Sequence, residues 1–150
     1  MDVKEMMTPR RGMIASGILV LLLFGIGPIV GGISGETEMF TSEDYGDIYT
    51  DASAEDKETI DKLLSVGEFS IGAGGVCIAL FILALAFLTE GTTQAKAALL
   101  SGGVIMLWGL LFEIAWYLQD FGFFIEIIVM FGILCSPMFI SGALHLKEDE

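Results

Sequence analysis

The chain has 150 residues, of which 54% are hydrophobic and only 18% are charged, and its mean hydropathy is +0.74. A soluble domain of this length covers its surface with charged side chains, so this composition excludes the soluble globular class. The 20 acidic and 7 basic residues leave a net charge of −13, which argues against a nucleic-acid partner because phosphates repel an acidic surface.

Four hydrophobic runs follow one another along the chain, at about 12–33, 69–88, 97–118 and 121–144. A helix needs about 20 residues to cross the hydrocarbon core of a bilayer, and it satisfies its own backbone hydrogen bonds in lipid. A barrel strand would need alternating apolar and polar positions, which the runs lack. The sequence therefore predicts an all-α membrane protein, a single domain over 1–150 with four transmembrane helices in an antiparallel bundle.

The first run follows Arg10 and Arg11 and ends in small residues, a pattern that is also typical of a cleaved signal peptide. The apolar core of a signal peptide has about 7–15 residues, and this run is longer. We therefore expect the run to form the first span, with cleavage as the alternative.

An acidic segment, residues 34–68, separates the first two runs and carries eleven acidic residues against two lysines. Ser53 and Asp56 have the spacing of a capping box, apolar residues then recur at helical spacing, and Gly67 is the expected stop. The pattern predicts a short amphipathic helix over Ala54–Val66. We also expect weak, diffuse association of cations with this loop, because its acids do not have the spacing of an EF-hand calcium site.

Small residues are clustered in the first three spans. Membrane helices associate through van der Waals packing and interhelical hydrogen bonds, and small residues let two backbones approach closely. We therefore predict helix-packing positions at Gly27, Gly31, Gly72, Gly75, Gly102 and Gly103. These glycines either pack the bundle itself or form an interface with another molecule.

Two glutamates, Glu113 and Glu126, are the only charged residues in the four runs. They flank the predicted turn at Gln119–Asp120, so two antiparallel helices would place them at nearly the same depth. Charged groups inside a membrane are costly and often functional, and two close carboxylates would share one proton. The pair is thus a candidate proton or cation site. The alternative is structural or interfacial placement, and which of the two applies depends on the rotation of each helix.

The basic residues indicate the orientation of the chain. Lys4, Arg10 and Arg11 precede the first run, Lys96 lies in the link between the second and third runs, and Lys147 follows the fourth. With four spans, these positions fall on one side, which the positive-inside rule identifies as cytoplasmic. We expect a multi-pass protein of the cell membrane with both ends in the cytoplasm and the acidic loop outside.

Residues for catalysis or for metal binding are scarce. Cys77 and Cys135 lie at different depths in the hydrophobic runs, so we expect free thiols rather than a disulfide. His145 is the single histidine, and there is no CxxC pair, so a multi-histidine metal site and a conventional triad are excluded. We expect no metal, no cofactor and no enzymatic activity.

Two hypotheses for the function follow. The first is a non-catalytic accessory or scaffold component of the membrane, which packs with itself or with a larger membrane partner. The second is a proton- or cation-handling component of a transporter or channel that uses Glu113 and Glu126. Transport assays on liposomes separate the two hypotheses.

Overall fold

A computed structural model describes residues 3–37, 46–118 and 123–146. The predicted turn at Gln119–Asp120 and Lys147 lie outside the described residues. Within the described ranges every regular element is helical. The elements in chain order are α1 (Val3–Met6), α2 (Pro9–Val20), a π-helical segment (Leu21–Ile26), α3 (Gly27–Ser34), α4 (Gly46–Thr50), α5 (Ala54–Leu88), α6 (Gly91–Leu118) and α7 (Ile125–His145).

Four continuous helical segments are long and apolar enough to cross a membrane: Pro9–Ser34, Ala54–Leu88, Gly91–Leu118 and Ile125–His145. They correspond to the four predicted runs, and the predicted all-α class with four long apolar helices is confirmed. Large apolar side chains are exposed along all four segments, which is the arrangement expected where lipid rather than water surrounds the protein. The chain is a multi-pass membrane protein with four candidate spans.

The first span contains a local change of helix type. Pro28 has no N–H group to donate to the carbonyl of Phe24, as an α-helix would require. The π-helical segment Leu21–Ile26 ends just before this proline, and α3 begins at Gly27. Local π-helical turns are one way in which membrane helices accommodate a proline. The span ends at Gly35, which adopts a left-handed conformation (φ 77°) and donates its N–H to the carbonyl of Gly31 at 2.9 Å.

Helix α5 begins as predicted and ends much later. Ser53 Oγ accepts a hydrogen bond from the N–H of Asp56 at 3.2 Å and donates to its carboxylate at 2.6 Å. The helix then continues through Gly67 to Leu88, so the predicted stop at Gly67 is wrong. One glycine costs about 1 kcal/mol in a helix, which the adjoining span outweighs. The 35 residues of α5 extend about 52 Å at 1.5 Å per residue, so the helix projects beyond the hydrocarbon core of about 30 Å.

The link between α5 and α6 is very short. Only Thr89 and Glu90 separate the two helices, and Gly91 turns the chain with a left-handed backbone (φ 56°). Lys96, which we expected in this link, is an exposed residue of α6. The buried side chain of Gln94 donates to the carbonyls of Ala86 and Thr89 and so caps the end of α5.

The chain divides into two compact units, residues 1–18 with 80–150 and residues 19–79. In the first unit α6 and α7 run antiparallel. Near the start of α6, Ala95 and Leu99 pack against Gly142, and further along α6 Gly109 packs against the ring of Phe131. The absence of a side chain on each glycine lets the facing helix approach closely.

Helix α2 also packs antiparallel to α7 in this unit. Ser16 Oγ donates to the carbonyl of Leu134 at 2.6 Å, and Gly12 lies against Pro137 and Ser141. Pro137 leaves the carbonyl of Ile133 without its usual helical donor, and the hydroxyl of Ser136 donates to that carbonyl at 2.9 Å. Local side-chain hydrogen bonds of this kind allow a proline to sit inside a membrane helix.

In the second unit α5 packs antiparallel to α3 and to the π-helical segment. Gly75 lies against the carbonyl of Phe24, and Gly72 lies against Ile29 and the carbonyl of Gly25. These contacts leave no room for a side chain at Gly72 or Gly75. Gly72 and Gly75, two of the predicted packing glycines, thus both lie at this helix contact.

Candidate functional site

Glu113 lies on the buried face of α6. The residues of this face recur every three or four positions and are mostly small, which aligns them along one side of the helix. Glu113 is the last buried position in the series and is itself fully buried. The buried members are Ala98, Gly102, Ile105, Gly109 and Glu113.

One carboxylate oxygen of Glu113 is hydrogen-bonded to the backbone at the start of α7. Its Oε1 accepts a hydrogen bond from the backbone N–H of Phe124, the residue that precedes α7. Phe124 is the N-cap residue of α7, and Glu113 accepts from its N–H as the Glu of a capping box does, but from α6 rather than from the same helix. A carboxylate at this end also complements the positive end of the helix dipole.

The other carboxylate oxygen of Glu113 differs in its hydrogen bonding. Oε2 is buried and has no hydrogen-bond partner among the described residues. A carboxylate can accept about four hydrogen bonds, and a buried polar atom without a partner is destabilising. Oε2 is therefore a position where a proton or a donor group would be favoured.

Aromatic rings surround this end of the α6–α7 pair. Trp116 stacks on Phe112 with ring centroids 5.7 Å apart and meets Phe124 edge to face at 6.5 Å. Further along the pair, Trp108 meets Phe131 edge to face at 5.7 Å. Glu113 is itself fully buried, and burial away from water makes each hydrogen bond to its carboxylate more valuable.

The second predicted site residue, Glu126, has a different environment. It lies in the first turn of α7 and is exposed. An acidic residue in the first turn is favourable because of the helix dipole, and at an exposed position water can solvate it. Both glutamates thus lie at the same end of the antiparallel α6–α7 pair, where Glu113 is buried and Glu126 is exposed. Proton sharing between them stays a prediction.

The predicted packing glycines divide into two groups. Gly31, Gly72, Gly75 and Gly102 lie at helix contacts, where a Cβ atom would meet a neighbouring side chain or backbone. Gly27 and Gly103 are exposed, and a Cβ atom at Gly103 would meet no atom of the described residues within 4 Å. Those two glycines are not used for packing within the described part of the chain.

Glu68 is a buried carboxylate that the sequence pattern assigned to the loop. It is 1% exposed, and its Oε1 lies against Gly31 of α3. The sequence pattern that could have predicted its burial is the helical spacing of Glu68 with Gly72 and Gly75. Continuation of their buried face by one turn reaches residue 68. Sequence reasoning missed it because it ended the helix at Gly67.

Within the described ranges no group of three or more His, Cys, Asp and Glu residues is arranged to hold a metal ion. Cys77 and Cys135 are free thiols, as predicted, and the structure adds that Cys77 is exposed and Cys135 is buried. His145 Nε2 is 3.0 Å from the carbonyl oxygen of Lys4, which attaches α1 to the end of α7.

No protein-family model matches this chain, and neither the curated proteins nor the solved structures include a significant match to it.

Proposed function

We propose that this protein is a non-catalytic accessory or scaffold component of the membrane, which works by packing its helices against a second copy or a larger membrane protein. The observation that carries the proposal is an outward stripe of small residues on α5. The stripe consists of Gly67, Ser70, Gly74 and Cys77, whose spacing places them on one side of the helix.

The two kinds of glycine on α5 support this function. Gly72 and Gly75 are buried against the first span, whereas a Cβ at Gly67 or Gly74 would meet no atom of the described residues within 4 Å. Each helical glycine lowers helix stability by up to about 1 kcal/mol relative to alanine. A close approach by another helix is the usual benefit of such residues in membranes.

Cys77 provides a test at the stripe itself, because Cys135 is fully buried and Cys77 is exposed. We propose cross-linking in native membranes with a membrane-permeant bismaleimide, followed by separation by mass. A product at twice the mass of the chain indicates a second copy, and a heavier product identified as a membrane protein indicates a larger partner. Monomer alone would count against the proposal.

Variants make the cross-linking test specific. Cys77→Ser should abolish the product, and Gly74→Leu should reduce it by filling the stripe. Gly103→Leu is the matched control, since a Cβ at this helical glycine also meets no atom of the described residues within 4 Å, but Gly103 lies on α6. Equal loss in both leucine variants would show that the effect is general and not a property of the stripe.

The orientation forms part of the same proposal. Both ends lie in the cytoplasm and the acidic loop lies outside, which is supported by the positions of Lys4, Arg10, Arg11 and Lys96. A reporter that functions only in the cytoplasm should be active when it is fused to either end of the chain. An external signal from either end would contradict this orientation.

The buried carboxylate of Glu113 favours a second candidate function, in which the protein conducts or senses protons. Oε2 of Glu113 meets no donor among the described residues, and such an acceptor atom inside a membrane is a place where a proton can bind. Reconstituted protein under an imposed pH gradient should then show a flux that Glu113→Gln abolishes. The absence of flux in wild-type protein would exclude conduction.

A further inference from the structure

We propose that Glu113 by itself is a proton-binding site. Its Oε2 takes up and releases a proton, while its Oε1 keeps the hydrogen bond from the backbone N–H of Phe124. The proposal deepens the second candidate function and replaces a shared pair with a single buried carboxyl group. It rests on the geometry at the start of α7 and on the burial of Glu113.

The two oxygens of Glu113 have different surroundings, and this difference is the first argument. Oε1 is engaged by the N–H of Phe124 and lies at the positive end of a helix of 21 residues. Oε2 is buried and meets no donor among the described residues. A buried charge that is only partly compensated is costly, and uptake of a proton removes that charge without disturbing the bond at Oε1.

The surroundings also favour a proton over a metal cation. A metal ion needs several ligands, and the part of the chain that the structure describes offers no group of three ligating residues. The start of α7 is the positive end of a dipole and repels a metal ion. A proton needs only one oxygen and becomes part of a neutral group.

Few other titratable groups lie near this end of the two packed helices. Tyr117 on α6 and Glu126 in the first turn of α7 are both exposed. Asp120, in the turn predicted from the sequence, lies outside the described residues. Glu113 is five residues before Leu118, the last residue of α6, which corresponds to about 7–8 Å along the helix. The carboxyl group is thus fully buried although it lies only about one and a half turns from the end of α6.

The test measures proton occupancy directly. Infrared spectra of the protein in lipid vesicles, recorded across a pH series, should show the carbonyl band of a protonated carboxylic acid that shifts in D₂O. Glu113→Gln should remove this band, and Glu126→Gln is the matched control that should leave it. An unchanged band in Glu113→Gln would overturn the proposal.

A second measurement keeps the test valid if Glu113→Gln does not fold. The apolar reagent dicyclohexylcarbodiimide reacts with protonated carboxyl groups: the acid proton moves to one nitrogen and the carboxyl oxygen bonds to the central carbon. The resulting O-acylisourea rearranges to a stable N-acylurea, with no group lost. Wild-type protein should carry the adduct at Glu113 rather than Glu126, with a yield that falls as the pH rises. An adduct at Glu126 alone would contradict the proposal.

Proton binding and proton conduction are separated by these measurements. The band and the adduct at Glu113 without flux in liposomes would support the binding site and exclude conduction. Absence of both the band and the adduct would reject the binding site itself, whatever the flux.

Discussion

Arg10 and Gln94 donate hydrogen bonds to the same acceptor, the carbonyl oxygen of Ala86, at 3.1 and 2.9 Å. The last carbonyls of a helix have no partner within the helix, and positive or donor side chains satisfy them. Gln94 also reaches the carbonyl of Thr89 at 2.6 Å, and Arg10 lies 4.0 Å from the carboxylate of Glu90. A residue in the first turn of the first candidate span and a residue near the start of the third therefore cap the same end of α5.

Substitution of Gln94 by alanine should destabilise the protein by about 1–2 kcal/mol, because two helix-end carbonyls lose a buried donor. The measurement is reversible unfolding in mixed detergent micelles. Thr93→Ala is the control, since Thr93 is exposed on the same turn of α6. Equal effects of the two substitutions would mean that the Gln94 cap is not important.

Glu113 should respond differently to two substitutions. Glu113→Ala removes the acceptor for the N–H of Phe124 and should lower stability by about 1–2 kcal/mol. Glu113→Gln keeps an acceptor oxygen for that N–H, so its stability should lie closer to that of wild type than to that of Glu113→Ala.

Thermal unfolding in lipid nanodiscs would measure these stabilities. Glu126→Ala serves as the control and should change stability by no more than about 0.5 kcal/mol, because Glu126 is exposed. If Glu113→Gln were as damaging as Glu113→Ala, the carboxylate charge rather than the acceptor oxygen would be what stabilises α7.

Adjacent glycines on α5 should give opposite results. Gly75→Ala places a Cβ against the carbonyl group of Phe24 and should destabilise the fold by about 1–3 kcal/mol. Gly74→Ala meets no atom of the described residues within 4 Å and should be neutral or stabilising by up to about 1 kcal/mol. Unfolding with denaturing detergent compares the two variants directly. Similar behaviour of both would show that α5 is rotated differently.

The number of spans and the all-α class were predictable because each span is a run of apolar residues longer than about 18. The residues at which the helices begin and end were less predictable. Gly67 is a plausible helix end in a soluble segment, but the adjoining span carries the helix through it to Leu88. A single residue preference is small compared with the cooperativity of a long helix.

The rotation of α6 was more predictable than we expected. The small residues Ala98, Gly102 and Gly109 mark one side of the helix, and the same spacing leads to Glu113. In α7 the buried series begins at Phe131, and its spacing does not include Glu126. The bond between Glu113 and the amide of Phe124 was not predictable, since it depends on how two helices pack across a turn.

The most direct test of the packing function is the mass of the protein in native membrane particles extracted with an amphipathic copolymer. We predict particles that contain two or more copies, or one copy with another membrane protein, and a shift to single copies in Gly74→Leu but not in Gly103→Leu. Wild-type particles that contain one copy and no other protein would contradict a scaffold or accessory role.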